Sequence, residues 1–173
     1  MVEQQEMTGE ARHVDLERMF NEADALVDAG HHREAFRLFH KAARAGHRAS
    51  WLNVGYCFDV GRGVRRSRER ALFWYRKAAS KGSGAAANNI GTVYRDEGRP
   101  RLAARWFLKA VSLGDTGALL NLAKLYLGPL NDRAKARSAL ARVARARDVT
   151  EDTREQAEAL LSQMQPLRRT KLG

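Results

Sequence analysis

The sequence predicts an all-α solenoid of about four helix-turn-helix repeats followed by a C-terminal capping helix. Three observations predict it. Asn21, Asn53, Asn89 and Asn121 recur at steps of 32, 36 and 32 residues. Other positions keep the same step: Ala35, Ala71 and Ala103; Phe39, Tyr75 and Phe107; Lys41, Lys77 and Lys109; Gly46, Gly82 and Gly114. Within each copy the apolar residues fall at three- and four-residue intervals, the period of a helix face. A fixed step in the thirties with helical patterning means one supersecondary unit copied and stacked.

The expected organisation is a flexible N-terminus (1–12), a repeat domain (13–148), a capping helix (149–165) and a basic tail (166–173). The units fall at about 14–46, 48–82, 84–114 and 116–147. In the first, Ala23, Ala35 and Phe39 mark the apolar side, and Gly30-His-His-Arg-Glu-Ala35 forms a short turn. The second is the clearest copy. Trp51, Val54, Gly55 and Phe58 share one face of its first helix, Gly61 and Gly63 end that helix, and Val64 plugs the turn. Ala71, Leu72, Tyr75, Ala78 and Ala79 line the second helix, which Gly82 stops by tolerating the left-handed conformation. Four extra residues in this turn, Gly61-Arg-Gly-Val-Arg-Arg-Ser-Arg68, account for the longer step, and a loop absorbs them at little entropic cost.

The third unit repeats the pattern through Asn89-Ile90-Gly91 and Tyr94, with Gly98-Arg-Pro-Arg-Leu-Ala103 as its turn. The fourth departs most. Gly128-Pro129 interrupts the end of its first helix, and Ala136, Ala139, Leu140 and Val143 replace bulky second-helix residues. Small residues at Ala23, Gly55, Gly91 and Ala123 are expected where two helices of a hairpin cross closely. Phe39, Tyr75 and Phe107 are expected to fill space between neighbouring units. Residues 150–164 read as the cap, with Ala157, Leu160, Leu161 and Met164 on one side. Asp152 with Glu155 offers a capping box there, and Thr150 a competing cap.

Composition sets the function classes. At 173 residues and 44% hydrophobic, the chain can bury a core. No segment approaches the roughly 20 apolar residues of a membrane span, and no basic start precedes an apolar run, so neither a secreted nor a membrane-spanning protein is expected. The single cysteine, Cys57, fits a reducing cytoplasm. Net charge is +11, but residues 1–34 carry nine acids against three bases, leaving +17 for the rest. That gradient favours an acidic partner or nucleic acid, or else reflects solvated helix faces in an arginine-rich chain.

The second unit carries Val54-Gly55, Phe58, Gly61-Arg-Gly63-Val64, Arg70-Ala71, Trp74-Tyr75, Lys77-Ala78-Ala79 and Gly82. Over this full unit it resembles a Sel1-like repeat of the tetratricopeptide superfamily. The first and third units look more like plain tetratricopeptide repeats, and the resemblance spans roughly residues 14–147. It implies a non-catalytic protein-protein interaction adaptor whose first helices line a concave face. By that implication the partner-facing residues are Asn21, Asp24 and Asp28; Asn53, Tyr56 and Asp59; Asn88, Asn89, Thr92, Arg95 and Asp96; and Asn121 and Lys124. The resemblance also permits an immunity or regulatory partner that blocks one cognate protein.

An amide offers a donor and an acceptor together, so in-phase asparagines suit clamping a peptide backbone. They equally suit bonding to a neighbouring helix to hold the stack, since both kinds of position recur in phase. A clamp for a terminal carboxylate is not supported: only Lys124 and Arg95 could serve it, against Asp24, Asp28, Asp59 and Asp96. Basic clusters lie elsewhere, at Arg62, Arg65, Arg66, Arg68 and Arg70 in the long turn. A second group is Arg133, Lys135, Arg137, Arg142, Arg145 and Arg147 in the fourth unit. Neither has stacking aromatics interleaved in sequence, which weakens a nucleic-acid reading.

No catalytic set emerges. His13, His31, His32, His40 and His47 are scattered, no paired cysteines or His-Glu-x-x-His run offers zinc spacing, and Gly61-Arg-Gly63 is no phosphate loop. Cys57 reads as a core thiol. The expectation is a binding protein without enzyme activity, cofactor or metal, taking a protein or peptide partner, as a monomer or weak homodimer. Binding of nucleic acid or an acidic surface is the second class, and a self-assembling scaffold the third.

Overall fold

The computed structural model describes residues 9–164, with side chains from 13 onward. Among the described residues there are nine α-helices and no strand: α1 (Gly9–Asp28), α2 (His32–Arg44), α3 (Arg48–Val60), α4 (Arg68–Ala79), α5 (Gly84–Asp96), α6 (Pro100–Ser112), α7 (Ala118–Leu127), α8 (Arg133–Arg145) and α9 (Glu151–Gln163). This is the all-α helical-repeat solenoid class that the period predicts. Of the expected flexible N-terminus (1–12), residues 1–8 lie outside the described residues and 9–12 belong to α1; the basic tail (166–173) lies outside them. The helices form two compact units, Met1–Gly82 and Ser83–Gly173.

Short polar residues set the helix starts. The Ser67 hydroxyl accepts from the Arg70 amide at the head of α4, Ser83 accepts from Ala86 at α5, and the Asp132 carboxylate accepts from Lys135 at α8. Each satisfies a backbone donor that the first turn leaves without a partner. Pro100 opens α6, where a missing amide proton costs nothing. For α9 the cap is Thr150, whose hydroxyl accepts from the Thr153 amide. Asp152 takes no part in the expected capping box; its carboxylate instead accepts from the Gln156 side chain. At the other ends, the in-phase Gly46, Gly82 and Gly114 all have positive φ, which explains their shared step.

In the first unit α1 packs on α2, α2 on α3, and α3 on α4. Tyr75 and Phe39 are essentially inaccessible, with Val54, Ala71 and Ala35 around them. The Trp51 indole donates to the Ala43 carbonyl at 2.9 Å and ties α3 to α2. His47, also buried, links two further elements: its ring hydrogen-bonds Ser50 Oγ at 2.7 Å and Glu17 Oε1 at 3.1 Å. The long turn is pressed against α2, for a methyl built on Gly63 would overlap the His32 carbonyl oxygen.

In the second unit α5 pairs with α6, α6 with α7, α7 with α8, and α8 with α9. Ile90, Phe107, Leu119, Leu140 and Val143 are fully buried. The fourth hairpin has Ala139 in register with Phe107, so aliphatic Leu140 and Val143 fill its core in place of a ring.

The structure places the in-phase rings, expected between neighbouring units, against the partner helix of their own hairpins. A methyl on Gly55 would meet the Tyr75 ring at 2.5 Å, and one on Gly91 would meet the Phe107 ring at 2.5 Å. Phe39 likewise faces Phe20 of α1, its hairpin partner, at 5.6 Å between centroids. The small residue and the large ring are two halves of one contact. A flat ring on a bare backbone closes the hairpin to native density, which a second side chain there would prevent.

Candidate partner-binding surfaces

The outward residues of the first helices fall in both units, and each unit is described separately. In the first, Asn21 and Asp24 of α1 are exposed, as is Asp28. On α3, Asn53 is half-buried, Tyr56 is 41% exposed and Asp59 is half-buried. The Arg62 guanidinium lies 5.4 Å from the centre of the Tyr56 ring, which joins the Arg-rich turn to this strip. Asp59 is partly committed to structure. Its backbone carbonyl accepts from Arg66 Nε at 2.6 Å, and its carboxylate lies 3.5 Å from the Tyr75 hydroxyl.

In the second unit, Asn88, Asn89 and Thr92 of α5 and Asn121 of α7 are half-buried, while Arg95, Asp96 and Lys124 are exposed. Asn121 Nδ2 donates to Asn88 Oδ1 at 3.0 Å, so this pair spans adjacent hairpins. Asn121 and Asn88 thus satisfy each other, side-chain amide to side-chain amide. Among the described residues no group partners the side chains of Asn53 or Asn89. The two cations of the strip are already engaged: Lys124 Nζ donates to Gln156 Oε1 at 3.0 Å, and Arg95 pairs with Asp96 at 2.9 Å.

The basic residues divide as well. Arg65, Arg66, Ser67, Arg68, Glu69 and Arg70 line an open cleft of about 680 Å³ at the head of α4. All four arginines are exposed; Arg66 donates to the Asp59 carbonyl and Arg70 stands 5.5 Å from the Phe58 ring, whereas Arg65 and Arg68 make no side-chain contact of this kind among the described residues. The fold therefore supplies Tyr56 and Phe58 from α3 to arginines that have no aromatic interleaved among them in sequence. On α8, Arg133, Lys135, Arg137, Arg142 and Arg145 are all exposed, opposite buried Ala136, Leu140 and Val143. Arg137 caps the carbonyl of Met164 at 3.0 Å. Lys135 bonds Asp132 at 2.8 Å, and this hydrogen bond holds the Asp132 carboxyl below the usual carboxylate range.

Burial pushes the Cys57 thiol up, with nearby Arg62 opposing the shift. Among the described residues no three His, Cys, Asp or Glu side chains converge as metal ligands. No described helix is long and apolar enough to cross a membrane.

Sequence reasoning missed one cluster. Phe36 and His40 of α2, Phe58 of α3, and Phe73 and Trp74 of α4 form a continuous aromatic set, which Lys77 links to Trp51. The only signal in sequence was the four-residue spacing of Phe36 and His40 beside the Phe73-Trp74 pair. Nothing in the sequence placed the two together.

A solenoid of helical hairpins with glycine-seated rings defines a helical-repeat protein. The Sel1 repeat profile matches residues 31–47, 52–83 and 85–115, so the chain is a Sel1-like repeat protein. The matched residues extend into the third hairpin and the second half of the first, which the sequence reading took for plain tetratricopeptide repeats. Several solved structures share the fold. One is a Sel1 repeat protein from Oxalobacter formigenes (23% identity, TM-score 0.69, covering 91% of this chain and 64% of that one). Another is a protective antigen of uropathogenic Escherichia coli with an SLR fold (23%, 0.68, 86% and 34%). A third is an immunity protein from Pseudomonas aeruginosa (22%, 0.54, 75% and 53%). The chain spans less than two-thirds of the length of each. Among curated proteins none matches it.

Proposed function

We propose that the chain is a non-catalytic interaction adaptor that holds a peptide or protein partner on the outward faces of its first helices. The observation that carries this reading is the contrast among the in-phase asparagines. Asn121 and Asn88 satisfy each other, whereas the half-buried amides of Asn53 and Asn89 have no partner among the described residues. A half-desolvated amide gains more from a new hydrogen bond than a fully solvated one, and it can address a backbone without reading its sequence. Each bond contributes only about 0.5–1.5 kcal/mol net, so within each unit the amide must act with its neighbours, Asn53 with Tyr56 and Asn89 with Thr92.

In the specialised version of this reading the chain is an immunity or regulatory partner of one cognate protein, in the manner that the name of the Pseudomonas aeruginosa neighbour allows. Affinity capture from native lysate tests the proposal, comparing wild type with Asn53→Ala/Asn89→Ala. The double variant is expected to fold as wild type does and to lose captured protein. Retention of every captured protein by the folded variant refutes the reading. An acidic partner docking at Arg65 and Arg68 is the second reading, favoured by the open cleft they line at the head of α4.

A further inference from the structure

We propose that the outward face of α2 and α4 in the first unit is a second docking surface, which takes an acidic segment of a partner protein anchored by an apolar side chain. Phe36 and His40 stack at 5.5 Å with planes 20° apart. The His40 ring meets Trp74 edge-on at 5.8 Å, and Trp74 meets Phe73 at 5.3 Å. Beside this row Phe36, Arg37, His40, Lys41 and Arg44 line a cleft of about 360 Å³, room for a large side chain.

Phe73 identifies the surface as more than packing. It is 59% exposed, an expensive place for a ring in water. Its in-phase counterparts are Arg37 and Arg105, so the hairpin does not require an apolar group at this position. Phe73 therefore serves no repeat-wide structural need.

Charge commits the occupant. Arg37, Lys41, Arg44, Arg70 and Lys77 surround the rings, and among the described residues none of the five has a carboxylate within ion-pair distance. The carboxylates flanking the patch are Glu69, one turn before Phe73 on α4, and Glu22 and Glu34, which line a neighbouring cleft with Arg37 and Lys41 without pairing with either. Lys77 Nζ lies 4.5 Å from the Trp51 ring centre and 5.2 Å from Trp74, so the π faces already hold one cation in place. Carboxylates match guanidinium forks in bidentate geometry, and an apolar anchor covers Phe73 and enters the cleft. A single-stranded nucleic acid fits less well. It needs several open ring faces in succession, while Phe36 and His40 stack on one another and Trp74 is buried.

The test uses fluorescence anisotropy with three labelled probes: an Asp/Glu-rich peptide of about twelve residues containing adjacent Leu and Phe, the same peptide with both replaced by Ser, and an oligothymidylate of about the same length. The intact protein is compared with Phe73→Arg and Arg37→Ala/Arg44→Ala, whose substituted side chains are exposed; circular dichroism melting checks their folding. The Leu-Phe peptide is expected to bind best, and each variant to weaken it by roughly tenfold. Phe73→Arg adds charge, so a purely electrostatic site would bind every probe more tightly in that variant. Tighter peptide binding by Phe73→Arg, equal binding of the two peptides, or preference for the oligothymidylate overturns the proposal. Asn53→Ala/Asn89→Ala leaves this binding unchanged, which separates it from the first-helix reading.

Discussion

At the residue scale, the hairpins depend on pairing a bare backbone position with a buried ring. Adding a methyl at Gly91 forces the Phe107 ring, which is fully buried, away from a 2.5 Å approach. Overpacking of this kind costs about 1–3 kcal/mol. Urea unfolding of Gly91→Ala is expected to show that loss. The double variant Gly91→Ala/Phe107→Leu is expected to be less destabilised than the two single changes added together, because the smaller side chain accommodates the methyl. Strict additivity would show that ring and glycine are independent.

His40 makes a second residue-scale prediction. Burial, then Arg44 and Arg70, hold its pKa below the ordinary 6.5 by disfavouring the imidazolium. Between the depressed folded value and 6.5 the unfolded chain binds more protons, so stability rises with pH across that window. The contribution is complete above 6.5 and lost as pH falls through the window. Unfolding midpoints at about pH 7.5 and about pH 5.5 are expected to differ more for wild type than for His40→Gln, since only in wild type does unfolding release this imidazole to take up a proton. An unchanged difference would remove His40 as a source of acid sensitivity.

At the scale of elements, caps and cross-helix polar contacts fix how each helix begins and what it leans on. Thr150 starts α9, which packs on α8 and covers the last hairpin. Thr150→Ala is expected to cost about 0.5–2 kcal/mol. Hydrogen exchange should show the loss in α9 and α8 first, because stacked repeats feel their nearest neighbours most. Protection lost first in α1 would contradict this. The capping box read from Asp152 and Glu155 failed for a plain reason. Thr150 stands in extended conformation one residue before the helix, while Asp152 already lies within its first turn.

At the scale of the whole molecule, the +11 net charge with an acidic first 34 residues makes polyanion binding the property most sensitive to ionic strength. Binding to a sulfated polysaccharide is expected to weaken steeply between low and physiological salt. Arg65→Ala/Arg68→Ala should lower the slope of log affinity against log salt by about one for each arginine that meets an anionic group. A slope unaffected by the double variant would move the polyanion contact to the cations of α8.

The repeat, its helix-turn-helix unit and the apolar side of each helix were legible in the chain alone. Glycines at the stops, capping hydroxyls and three- and four-residue spacing act within a few residues of themselves, so local chemistry determines them. Asn53, Asn89 and Asn121 could likewise be recognised as equivalent positions, but not as chemically different ones. Only tertiary structure turned Asn121 toward Asn88, seated Tyr75 and Phe107 inside their own hairpins, and gathered Phe36, His40 and Phe73 among cations from two second helices. Those outcomes depend on the rotation of each helix about its axis and the stagger between neighbours. Both are decided by the packing of particular side chains, which a repeat period does not encode.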